Sequence, residues 1–112
     1  MKSIKFILVA IIVAFTAQLN AQKTVQTASL KVSGNCESCK VRIEKAAKTA
    51  GVTTANWSQL TKVLKITFDA SKTNVDKVSK AIAAVGHDTE KYKADAKTYN
   101  ALPGCCKYPR GK

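Results

Sequence analysis

Four cysteines and one histidine carry the chemistry this chain could perform. Cys36 and Cys39 lie in the stretch Gly34-Asn35-Cys36-Glu37-Ser38-Cys39, and Cys105 and Cys106 are adjacent near the other end. Two thiols three positions apart can converge on one soft metal ion or close into a disulfide. A stabilising disulfide framework links distant positions, because the stabilisation grows with the loop closed. Neither close pair does that by itself, so the two pairs read as ligands or redox partners.

The first pair sits where a strand pattern gives way to a helix pattern. A helix N-terminus lowers a thiolate pKa, which suits metal capture and disulfide exchange equally. A thioredoxin-like enzyme would carry an aromatic residue and a proline around the pair, and Glu37-Ser38 supplies neither. Metal binding is therefore favoured. A periplasmic thiol–disulfide redox protein using the same pair is the alternative.

The elements that must position these thiols follow from periodicity. Ala28, Leu30 and Val32 alternate with polar residues, which predicts a half-buried strand, and Gly34 allows a tight turn into the cysteine loop. Across 38–50, Cys39, Ile43, Ala46, Ala47 and Ala50 share one helical face. Glu44 stands four residues before Lys48 on another, and Gly51 stops the helix. A second strand is expected in 52–60 with Ala55 and Trp57 on one side, then a turn at 59–62. Leu64, Ile66 and Phe68 alternate in a third strand. Thr73 and Asp76 form a capping-box signature before a helix carrying Val75, Val78, Ile82 and Val85. Gly86 ends it, and 87–94 is expected to be a fourth strand.

Strand, helix, strand, strand, helix, strand predicts an α+β, ferredoxin-like βαββαβ sandwich, with a four-stranded antiparallel sheet and both helices on one face. Right-handed crossovers put the Cys36 loop, the hairpin near Leu60 and the Gly86-His87 loop at one end. His87 is thereby delivered beside Cys36 and Cys39. The tail must return from the opposite end; eleven residues from Ala94 to Cys105 span at most ~36 Å, enough to reach the loop.

Targeting and charge bound the rest. A short basic start, an apolar core over 6–15 too short to span a bilayer, and a small polar stretch predict a secretory signal peptide, residues 1–21, cleaved after Ala21. The protein is then periplasmic or secreted, without stable membrane insertion. The expected division is a flexible lead at 22–27, one domain at 28–94 and a cysteine-containing tail at 95–112. The whole chain has 19 basic and 7 acidic residues, a net charge of +12; losing Lys2 and Lys5 with the leader leaves +10. Such a surface keeps an exported protein soluble and favours acidic partners. Nucleic acid is not expected, since the outer-face aromatic pairs of RNA-binding sheets are missing. No Ser–His–Asp order, paired carboxylates or phosphate loop points to an enzyme, and Asn56-Trp57-Ser58 matches a glycosylation triplet by chance.

Strand, Gly34-x-Cys36-x-x-Cys39, helix, hairpin, second helix and Gly86-His87-Asp88 together resemble the heavy-metal-associated domain family, over roughly 28–94. That family includes copper chaperones, metal-binding domains of copper-transporting ATPases and periplasmic mercury-binding proteins. The resemblance implies Cys36 and Cys39 as metal ligands, Asn35 in the binding loop and His87 at the third-ligand or supporting position. Thiolates with one imidazole suit a low-coordinate soft cation, so Cu(I) is the first choice of cargo, with Hg(II) or Zn(II) as alternatives, and the expected partner is a metal-transporting ATPase or other acidic-faced metal-binding protein. The protein would be mostly a monomer that a shared ion can bridge into a dimer. Cys105 and Cys106 are expected as auxiliary ligands, or as the reductant that keeps Cys36 and Cys39 free. One departure stands out: family members usually carry Met two residues before the first cysteine, where this chain has Gly34. That predicts a loop without its apolar support and with added flexibility.

Overall fold

The computed structural model describes residues 24–110. The predicted leader and the start of the lead, Gln22 and Lys23, lie outside the described residues. Among the described residues no helix is long and apolar enough to cross a membrane. The elements run β1 (Val25–Lys31), α1 (Glu37–Thr49), β2 (Thr54–Trp57), β3 (Val63–Asp69), α2 (Val75–Ala84) and α3 (Ala96–Asn100), followed by a 3-10 turn at Gly104–Cys106. β1 thus takes up 25–27, where a flexible lead is expected from the sequence.

β3 is the centre of a three-stranded antiparallel sheet of order β1-β3-β2. Its register sets Leu30 and Trp57 on either side of Leu64. These three are among the most buried side chains, and with Val32, Ile66 and Phe68 they form the sheet's share of the core. α1 contributes Cys39, Ile43, Ala46 and Ala47, as its helical spacing predicts. α2 contributes Val78, Ile82 and Ala83, with Val75 and Val85 at its half-buried margin. Gly51 and Gly86 end the two helices with φ of 110° and 107°, conformations that favour glycine.

The expected fourth strand is a correction. It is reduced to a single bridge between Val32 and Thr89. The Thr89 hydroxyl accepts from the N–H groups of Lys91 and Tyr92, and the Thr89 N–H donates to Tyr92 O at 2.7 Å. The chain therefore folds back on itself within four residues instead of running along β1. The Lys31 N–H is taken by the Glu90 carboxylate at 3.0 Å in place of a strand carbonyl. Polar groups that would have formed a ladder are satisfied locally.

Two local readings also change. Asn74, rather than Thr73, caps α2, its side chain accepting from the Lys77 N–H at 2.9 Å. Glu44 pairs with Lys40 rather than Lys48. It also accepts the Trp57 N–H at 2.9 Å while Lys40 donates to Trp57 O at 3.0 Å, so this pair fastens α1 to the outer edge of β2.

Candidate metal centre

The cysteine loop is held from three sides. Val32 N–H donates to Lys62 O at 2.9 Å and Ser33 N–H to Asp88 O at 2.8 Å, tying the end of β1 to the hairpin and to the segment after α2. Lys62 Nζ donates to Gly34 O at 2.6 Å, and Gln59 Nε2 to Asn35 O at 2.8 Å. The expected convergence of the three loops is therefore present. The apolar support expected to be missing at Gly34 is supplied from elsewhere. The Trp57 indole lies under the loop, with Nε1 donating to Val32 O at 2.9 Å. A Cβ on Gly34 would stand 3.0 Å from the indole Cη2 and Cζ2 atoms. Trp57 takes the place of the apolar support, and glycine is what leaves room for it.

Cys36 occupies the N-cap position of α1, with the Cys39 and Lys40 N–H groups donating to its carbonyl at 3.0 and 3.2 Å. Its Sγ lies 3.5 Å from Cys39 Sγ. The tail returns as its length allows: Cys36 Sγ is 3.3 Å from Cys105 Sγ and 3.4 Å from Cys106 Sγ. The sulfurs of Cys36, Cys39 and Cys106 all lie within 4.8 Å of one another. Cys39 and Cys106 are buried, Cys36 is half-buried and Cys105 is exposed; all four are free thiols. This graded access leaves one edge of the sulfur cluster open to a partner and the other embedded in the core.

Ser38, a residue type that carries no soft-metal signal of its own, sits among the sulfurs. Its Oγ is 3.0 Å from Cys106 Sγ, 3.4 Å from Cys36 Sγ and 3.5 Å from Cys105 Sγ. Hydrogen bonding from Ser38 and from the Cys39 N–H holds the Cys36 thiol down at about 6. Burial pushes Cys39 the other way, to about 11. Cys105 also rises, because its contacts with the sulfurs of Cys36 and Cys106 outweigh the lowering by the Ser38 hydroxyl. At neutral pH Cys36 is thus the thiolate of the cluster, while Cys39 keeps its proton.

His87 arrives at this end of the sheet, and its side chain is fully buried. It stands outside the group of converging sulfurs. Nδ1 is 2.8 Å from Ser33 O, so the proton is on Nδ1, while Nε2 faces Arg42 Nη1 at 3.5 Å. Desolvation lowers the His87 pKa, which keeps the ring neutral. Arg42 in turn donates to Cys106 Sγ at 3.3 Å. Its position three residues after Cys39 on α1 was the available signal for it.

The tail is fastened by Tyr108. Its hydroxyl donates to Gly86 O and accepts the Asp88 N–H, both at 2.8 Å, and its ring stacks on His87 at 5.7 Å. Arg110 adds a two-pronged pair to Asp88 at 3.0 Å. Leu102 packs over Gly86, where a Cβ would stand 2.9 Å from Leu102 Cδ2.

No family model matches the sequence. The mercuric transport protein periplasmic component of Serratia marcescens is 38% identical over 64 residues, 55% of this chain and 70% of that protein. Among solved structures, oxidized MerP from Ralstonia metallidurans CH34 is 34% identical with a TM-score of 0.56, covering 59% of this chain and 94% of that one. The CopZ metallochaperone is 30% identical with a TM-score of 0.55, covering 57% of this chain and 98% of that one. The antiparallel sheet with α1 and α2 packed on it, the Cys36-x-x-Cys39 loop at its end and the identity with these proteins lead to one assignment: the chain belongs to the heavy-metal-associated domain family.

Proposed function

We propose that this protein binds one soft metal ion through Cys36, Cys39 and Cys106 and passes it to a partner by ligand exchange. The observation that carries the reading is the set of three sulfurs within 4.8 Å of one another, two from the loop and one from the tail. Metal–thiolate bonds of about 2.3 Å would set three sulfurs around one ion about 4 Å apart, so little rearrangement is needed. Soft thiolates at low coordination number favour Cu(I), with Hg(II) the competitor. Zn(II) would call on Cys105 as a fourth sulfur.

Exchange begins at the open edge. A partner thiolate adds to the ion beside Cys36, one of this chain's sulfurs leaves, and the ion moves across without being released to water. The partner is a thiol-bearing domain of a metal-transporting ATPase or a similar acidic-faced protein, met in the periplasm after removal of the leader. The names of the relatives, one a periplasmic transport component and one a metallochaperone, support this cycle.

Titration of the reduced protein with Cu(I), Hg(II) and Zn(II) against competing chelators tests it. One tightly held ion per chain is expected, lost on Cys36→Ser or Cys39→Ser with the fold retained. Full affinity in Cys36→Ser would sink the assignment of the sulfurs as ligands, and catalytic thiol–disulfide turnover without metal uptake would replace this reading with the redox alternative.

A further inference from the structure

A metal bound by three thiolates leaves a net negative charge against a buried wall of the site. Three thiolates with Cu(I) sum to −2, and with Hg(II) to −1. Cys39 and Cys106 are both fully buried, so water offers little compensation there. Arg42 reaches this wall: its Nη1 is 3.3 Å from Cys106 Sγ and 3.5 Å from His87 Nε2. We propose that Arg42 is the charge-compensating residue of the sulfur site and that His87 positions it, without binding the ion.

The geometry of His87 fits a strut. Nδ1–H is committed to Ser33 O at 2.8 Å, which fixes the tautomer and turns the Nε2 lone pair towards the guanidinium. Stacking of Tyr108 on the imidazole at an interplanar angle of 25° fixes the ring's tilt. Arg42 therefore meets an acceptor on one side and a sulfur on the other. A guanidinium, always charged and with donors in a rigid fork, can serve both. The nearby cation Lys40 is committed to Glu44, Asn56 and Trp57, away from the sulfurs. Lys62 is committed to Gly34 O.

This inference rests on the sulfur site of the proposed function, and its test separates the two. Cu(I) affinity of the full reduced protein is measured by chelator competition in Arg42→Leu, Arg42→Gln and Arg42→Lys, with circular dichroism as the check on folding. Removing an outer partner of a metal ligand typically costs 10–100-fold in affinity. Arg42→Leu and Arg42→Gln should lose roughly that much, while Arg42→Lys, which keeps the charge, should recover most of it. For the strut, His87→Gln preserves a donor towards Ser33 O and an acceptor towards Arg42, and should bind nearly as wild type. His87→Leu should fall about as far as Arg42→Leu. X-ray absorption of the Cu(I)-loaded wild type should show sulfur scattering alone. Undiminished affinity in Arg42→Gln overturns the charge role. A nitrogen scatterer that disappears in His87→Gln, with a matching loss of affinity, makes His87 a ligand and overturns the strut. If Cys36→Ser also retains full affinity, the sulfur site itself fails, which is a different result from either.

Discussion

The indole of Trp57 fills the space directly beneath Gly34, close enough that a Cβ there would meet ring carbons at 3.0 Å. Trp57 is 1% exposed and its Nε1 holds the carbonyl of Val32, so the ring cannot easily move aside. The cysteine loop is therefore supported from the second strand, by a residue twenty-three positions away from Gly34 in sequence.

Restoring the family's methionine should harm this chain. Gly34→Met would place a long side chain against the indole, and overpacking of this kind costs typically 1–3 kcal/mol. Trp57→Leu should also destabilise, by loss of packing and of the bond to Val32 O. The double variant should be less destabilised than the sum of the two, since leucine vacates the space methionine needs. Denaturant melts of the four metal-free proteins measure the coupling. Strict additivity would mean that the two residues do not share one space.

Cys36 should be the reactive thiol, with a measurable pH signature. Its pKa is lowered to about 6, whereas Cys39 is buried and raised to about 11. Alkylation of the reduced, metal-free protein should label Cys36 first, at a rate nearly constant above pH 7 and falling about tenfold per unit below pH 6. The same depressed value makes a contribution to stability that is complete above the unfolded pKa of 9.0 and is lost as pH falls through about 6. Peptide mapping after brief iodoacetamide treatment at several pH values checks the order. Equal labelling of Cys36 and Cys39 at pH 7 would contradict it.

Much of this arrangement was legible in the sequence because it depends on local pattern and chain reversal. Alternation marked β1 and β3, helical spacing marked the buried faces of α1 and α2, and handed crossovers placed three loops at one end. Reach along the chain allowed Cys105 and Cys106 to return. What escaped were outcomes of competition between local and distant partners. The stretch 87–94 is expected as the last strand from its place after the second helix, but the Thr89 hydroxyl captures two N–H groups and Glu90 captures Lys31, so ladder formation loses. Trp57 was readable as core from its apolar character. That it would replace a loop support required knowing which strand lay beneath Gly34. Ser38 lay inside the cysteine motif, but its contact with three sulfurs depends on where the tail lands.

Tyr108 offers the sharpest test of whether the tail belongs to the site. Its hydroxyl bonds both Gly86 O and the Asp88 N–H, and these are backbone groups of the segment that also carries His87. Burial raises the Tyr108 pKa to about 12, so the phenol stays protonated and able to donate throughout the physiological range. Tyr108→Phe removes both bonds and leaves two backbone groups short of a partner, a loss of about 1–3 kcal/mol in total. Phenylalanine keeps the ring, so the fold should persist while the clasp weakens. Both hydroxyl bonds of Tyr108 go to backbone groups and not to a sulfur. If Cys106 is a ligand held in place by this clasp, Tyr108→Phe should nevertheless lower soft-metal affinity, and Cys106→Ser should lower it further. Combining the two should cost little more than Cys106→Ser alone, because the clasp then has no ligand to present. Chelator competition on the four proteins gives the answer. A Tyr108→Phe protein that melts earlier but holds the ion as tightly as wild type would show that the tail stabilises the domain without serving the metal.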